Sequence, residues 1–103
     1  MSMVLYRAMC KEEAARSIAA GRPQFVSRYK WFSPFREFVT QRVQDGVFNN
    51  SRFKQWRYTE VLEFTFSDES LPYFNQNGKE YMLDRRDSQM VRCEVVGDLE
   101  VRR

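Results

Sequence analysis

The stretch RYTEVLEFTFS, residues 57–67, decides the fold class. Tyr58, Leu62, Phe64 and Phe66 alternate with Arg57, Thr59, Glu63 and Thr65, the period-two pattern of a strand with one apolar face. Two residues break the alternation: Glu60 falls on the apolar side and Val61 on the polar side. This strand divides the chain. Upstream of it helical and extended patterns interleave, and downstream only strand and turn signals remain.

Working upstream, 47–55 reads as a polar loop centred on Asn49-Asn50-Ser51. Residues 34–45 read as a helix, with Ser33 as its N-cap and Pro34 at its first position. Phe35, Phe38, Val39 and Val43 form its apolar stripe, and Gly46 after Asp45 ends it. Residues 24–27 and 30–32 are short extended pieces. Residues 11–20 predict a second helix, with Ala14, Ala15, Ile18 and Ala19 on one face and Glu12 and Glu13 in the first turn, where they complement the helix dipole. Gly21 and Pro23 stop it. Residues 3–9 are an apolar run broken only by Arg7, which suits a buried strand. Working downstream, Asp68-Glu69-Ser70 starts a helical turn, Asn77-Gly78 marks a tight turn, and 80–83 is a strand. Residues 90–96 and 99–102 flank Gly97-Asp98 and predict a closing hairpin. The order β-α-β-α-β-β-β-β predicts an α+β domain spanning 1–103: two helices packed on a strongly twisted, split, mainly antiparallel sheet.

Length and composition fit one core. The chain has 103 residues, and its nine Phe, five Tyr and two Trp supply large buried area per side chain. The absence of histidine removes His-based metal sites, Ser-His triads and histidine pH switches, and two cysteines are too few for a thiolate zinc site or a disulfide scaffold. No basic-then-apolar leader and no long apolar run is visible, so a cytoplasmic protein with free thiols and no membrane partner is the expectation. Cys10 and Cys93 are expected to pack, since no histidine is present to activate them. Charge is uneven: residues 1–57 hold eleven Lys and Arg against four Asp and Glu, and residues 58–103 hold six against ten. That asymmetry predicts an anion-facing surface on which Arg28, Lys30, Arg52, Lys54 and Arg57 gather. If they are instead paired with acidic residues of the second half, the asymmetry is internal neutralisation.

Three short segments carry a further pattern: Leu5-Tyr6-Arg7, Lys30-Trp31-Phe32-Ser33 and Lys79-Glu80-Tyr81. Arginine on a first strand, serine after aromatics on a second and glutamate opening a later one resembles the polar triad of ADP-ribosyltransferase-like folds. The resemblance implies a split sheet that clasps NAD as substrate, with no metal. It implies Arg7 on a phosphate or the adenine-side ribose, Ser33 shaping the nicotinamide-ribose pocket, and Glu80 as the catalytic carboxylate on the ribose hydroxyl. Trp31, Phe32 and Tyr81 would stack on nicotinamide and exclude water. The chemistry suits these residue types: loss of nicotinamide leaves an oxocarbenium-like carbon that a carboxylate stabilises, and an arginine fork fits a pyrophosphate. The pattern lacks the second acidic or amide residue of many protein-modifying members, and the short chain leaves little for acceptor recognition. Hydrolysis of NAD, or binding without chemistry, therefore stands beside transfer.

Each triad residue also has a purely structural reading. Ser33 suffices as a helix cap, Arg7 as the partner of Glu94 or Glu100 across a sheet, and Glu80 as a solvated strand-end charge. A second constellation interleaves cations and rings, in Arg28-Tyr29-Lys30-Trp31 and again over residues 52–58, as single-stranded nucleic-acid sites do. The partners in view are thus a dinucleotide or other anionic ligand, a nucleic acid, or a protein bound by a small inhibitor module.

Overall fold

A computed structural model describes residues 2–24, 28–46 and 57–99. In chain order the elements are β1 (Ser2–Met9), α1 (Lys11–Ala20), β2 (Tyr29–Phe32), α2 (Arg36–Gln44), β3 (Glu60–Ser67), β4 (Phe74–Asn77), β5 (Glu80–Asp84) and β6 (Cys93–Leu99), with 3-10 turns at Asp68–Tyr73 and Arg85–Asp87. Two three-stranded antiparallel sheets result, one ordered β1-β3-β6 and the other β2-β5-β4. They meet at one backbone bridge, Tyr6 with Ser33, in which each N–H donates to the other's carbonyl at 2.7 and 2.9 Å. The α+β class and the division of the sheet follow the sequence reading, as does the order through β3; β4 is absent from that reading, and the two closing strands expected are one.

Alternation along β1 and β3 builds two cores on opposite faces of the first sheet. Leu5 and Met9 with Leu62, Phe64 and Phe66 face one side, where they join Ala14 of α1 and Phe32, Phe74 and Leu83 of the second sheet. Ala8 and Val61 face the other side and pack on Val39 and Val43 of α2. Val61, out of step in the sequence, is therefore a core residue of the second layer, and both faces of this sheet are covered. The ring of Phe32 binds the two sheets together. It meets Phe64, Phe66 and Phe74 edge-on with centroids 5.4, 5.5 and 5.7 Å away.

Several expectations shift, each for a local reason. The first helix has the bounds read from the sequence, closed by Gly21 at φ 68°, whose N–H reaches Ser17 and Ile18 carbonyls. Its buried face, however, is Glu13, Ala14 and Ser17, while Ile18 is 44% exposed. The helix is oriented by an ion pair, described below, and not by its largest apolar residue. The second helix begins at Arg36, not Pro34, because Ser33 is held in a strand by its bridge to Tyr6. Ser33 Oγ accepts the Phe35 N–H at 3.2 Å, which turns the chain into the helix without capping it, and Phe35 lies outside the stripe at 52% exposure. The hairpin expected around Gly97-Asp98 is one continuous strand, β6, whose pairing with β3 shifts register between Val61 and Glu63. Gly97-Asp98 absorb that irregularity. The hairpin of this half is β4–β5 instead, turning at Gly78 with φ 61°. The extended piece at 24–27 and the loop at 47–55 lie largely or wholly outside the described residues.

Candidate functional site

The sequence placed a cation, Arg7, in an apolar strand, and such a group must be paired where it lies. Arg7 is 6% exposed, and its partner is Glu13, six residues on and in the first turn of α1. Arg7 Nε donates to Glu13 Oε2 at 2.8 Å and Arg7 Nη2 to Oε1 at 3.2 Å, a forked pair. Lys30, 2% exposed on β2, donates to the same Oε1 at 2.7 Å. Arg7 Nη1 reaches across to the Trp31 carbonyl at 3.2 Å, and Nη2 to the Tyr58 hydroxyl at 3.3 Å, with the guanidinium 5.6 Å from the Tyr58 ring centre. Four of the five guanidinium N–H donors are thus used. The side chain ties β1 to the β2 backbone beside the Tyr6–Ser33 bridge.

Electrostatics follow from that burial. Burial raises the Glu13 pKa, but the charge and hydrogen bonds of Arg7 and Lys30 outweigh it and hold the carboxyl below its ordinary value. Lys30 is pushed down, first by burial and then by Arg7, against the pull of Glu13. Arg7 stays charged: burial works against it, and Glu13 more than compensates.

The three residues of the expected triad divide between two faces. Arg7 shares its face with Leu5 and Met9, towards α1. Tyr6 and Ser33 are cross-strand partners, and Phe32 pairs with Tyr81, so the next step in register sets Ser33 opposite Glu80. Antiparallel partners share a face. A lateral row therefore runs Glu80, Ser33, Tyr6, Glu63 across both sheets, on the face opposite Arg7. Tyr6 is fixed in it by its hydroxyl, which donates to Glu63 Oε1 at 3.1 Å, and burial followed by that bond raises its pKa. Ser33 is 1% exposed and Glu80 is half-buried. Trp31, 41% exposed, lies on the Ser33 and Glu80 face.

The flanking aromatics part in the same way. Phe32 is 2% exposed and belongs to the core, so it has no face to offer a ligand. Tyr81 points to the core side and meets Phe74 edge-on at 6.4 Å. Of the three rings expected at a nicotinamide, Trp31 alone is open on the row's face. Of the five cations expected to cluster, Lys30 is buried in the Glu13 network, Arg28 stands 3.7 Å from Asp84 of the acidic half, and Arg57 is half-buried just before β3. Arg52 and Lys54 lie outside the described residues. The positive charge that does gather is Arg22, Arg28, Arg85 and Arg86, around two open grooves of about 510 and 240 Å³ that share Arg85 and Gln89.

Sequence reasoning missed Glu13 as the partner of Arg7, having looked for one across the sheet. The signal was present: a carboxylate at the start of the helix that directly follows the strand. Among the described residues no group of three or more Cys, Asp or Glu could hold a metal, and no helix is long and apolar enough to cross a membrane. Comparison with protein-family models, curated proteins and solved structures gives no match.

Proposed function

We propose that this domain binds NAD or a related dinucleotide over the junction of its two sheets, in the manner of a minimal ADP-ribosyltransferase-like protein, and that Glu80 acts on the nicotinamide-side ribose. The observation that supports this most is the Tyr6–Ser33 bridge where the two sheets meet, with Glu80 opening β5 one residue beyond the Phe32–Tyr81 pair. In this reading Arg7 does not hold phosphate. It braces the split from behind, where Glu13 fixes it, and so sets the spacing of β1 and β2. Ser33, buried beneath the row, fixes the bridge to Tyr6 under the floor, Trp31 offers a stacking ring at the edge, and Glu80 forms the wall.

The chemistry assigned to Glu80 follows from its charge. Its carboxylate accepts the ribose hydroxyl next to the anomeric carbon. As the C–N bond to nicotinamide breaks, its electron pair leaves with the neutral amide, and the carboxylate stabilises the positive charge left on the ribose. Water adds to that carbon and releases a proton, giving ADP-ribose and nicotinamide. The test is incubation with NAD and chromatographic measurement of released nicotinamide. Release is expected from the native chain and is expected to be lost in Glu80→Gln, with the melting temperature kept. Release unchanged in that variant overturns the role of Glu80, and no binding of NAD by calorimetry overturns the reading.

A further inference from the structure

The second sheet carries on the same outer face an arrangement that nicotinamide chemistry does not use. α2 packs on β1 and β3 of the first sheet, while the corresponding face of β2 stays open, with Tyr29 38% and Trp31 41% exposed. These rings are two residues apart on one strand, hence about 7 Å apart along it. Tyr29 pairs with Asp84, which brings the rim of the 3-10 turn Arg85–Asp87 alongside it. Arg28, with its side chain 62% exposed, holds its guanidinium 5.0 Å from the Tyr29 ring centre. Arg86, 77% exposed, is anchored by Asp84 at 3.1 Å. Arg85 connects this groove to the next one, which Arg22 lines after α1.

Two carboxylates lie among these four arginines, and one is already consumed. Asp84 is 9% exposed and accepts the Arg86 backbone N–H at 2.9 Å and its guanidinium at 3.1 Å, so it serves as an anchor. Its charge is held ionised first by that backbone bond and then by Arg86 and Arg28, with burial opposing. Asp87 lies on the same turn, and the patch keeps an excess of positive charge. Arginine forks suit the oxygens of phosphodiesters, and exposed rings suit bases.

We infer that Tyr29 and Trp31 form a stacking platform for single-stranded nucleic acid, whose phosphates run along Arg28, Arg86, Arg85 and Arg22. The spacing selects the single strand. About 7 Å between rings is twice the ~3.4 Å step of a duplex strand, so bases that stack on both must be unstacked from each other. Base-edge readout is not part of the site, and sequence preference is expected to be weak. The inference stands on residues other than Ser33 and Glu80 and does not depend on NAD.

The experiment is fluorescence anisotropy with a labelled single strand of about twelve nucleotides, inside the usual ~4–16-nucleotide site range, against the same sequence as duplex and against poly-glutamate as competitor. The single strand is expected to bind in preference to both. Its affinity is expected to fall with salt on a log–log slope of about −2 to −3, from three to four phosphate contacts at about −0.7 each. Trp31→Ala is expected to weaken binding by about 5- to 150-fold and Trp31→Phe by much less. Arg22→Ala with Arg85→Ala is expected to flatten the salt slope by about 1.4. All three side chains changed lie at the surface, and thermal melts matching the native chain verify the fold. No binding at low salt, equal binding of duplex, stronger competition by poly-glutamate, or an affinity indifferent to Trp31→Ala each overturns the inference.

Discussion

Replacing Glu13 by glutamine keeps shape and removes the carboxylate that Arg7 and Lys30 share. Three hydrogen bonds, at 2.7, 2.8 and 3.2 Å, lose their charge assistance, and two cations at 6% and 2% exposure face each other without it. Breaking a buried pair by removing one partner costs roughly 3–5 kcal/mol. Lys30 can relieve its share by losing its proton. From an unfolded value of 10.5 down to pH 7 that relief itself costs at most about 4.8 kcal/mol, at 1.36 kcal/mol per unit. The two routes agree on a loss of several kcal/mol, against a whole-domain stability of about 5–15 kcal/mol. A chain of this length shifts by about 5 °C per kcal/mol, so the melting temperature falls by roughly 15–25 °C. The assay is thermal and urea unfolding followed by circular dichroism. Glu13→Gln with Lys30→Met is expected to recover about half the loss, since one stranded cation has gone. A fall under about 5 °C, or a double variant no better than the single one, refutes the claim that this carboxylate organises the split.

Further outcomes follow from the same geometry. Stability is expected to fall in acid: the Glu13 pKa is lowered by folding, so its contribution is complete above the unfolded value near 4.5 and is lost as pH drops through the folded one, which a pH series of urea midpoints measures. Lys30 drives stability in the same direction with pH in its own window, because its lowered pKa costs stability while it is charged in both states, and that cost lessens as pH rises through the folded value towards 10.5. Phe32→Ala is expected to cost about 3–5 kcal/mol by emptying the junction of the sheets, read as a shift in urea midpoint. Burial pushes the Cys93 thiol up to about 11, so it is expected to react with iodoacetamide at neutral pH far more slowly than a free thiol in the unfolded chain.

How much of this was legible depends on the range of the interactions involved. The first helix could be bounded because its stop is local: Gly21 adopts the left-handed conformation, and Pro23 follows. β3 could be read because its alternation needs only neighbours. The face of α1 could not be read, since Glu13 turns inward to satisfy a strand cation behind it and a lysine seventeen residues ahead. Lys30 looked like a surface charge beside Trp31 for the same reason. The bulge at Gly97-Asp98 has the composition of a turn, and the pairing with β3 decides otherwise. Within the candidate site, the order of Arg7, Ser33 and Glu80 was visible, but the faces on which they lie depend on strand register. Register places Ser33 and Glu80 together and sets Arg7 behind them.

The central claim is that Ser33 and Glu80, and not the guanidinium of Arg7, define the ligand face. Calorimetric titration of NAD into Glu80→Gln, into Arg7→Lys and into the native chain tests it most directly, because Arg7→Lys retains the charge beside Glu13. Binding weakened about tenfold or more by Glu80→Gln, a loss of about 1.4 kcal/mol, with Arg7→Lys near native, is the predicted result. Affinity that is lost with Arg7→Lys in a chain that still melts cooperatively, and is unchanged by Glu80→Gln, would contradict the account.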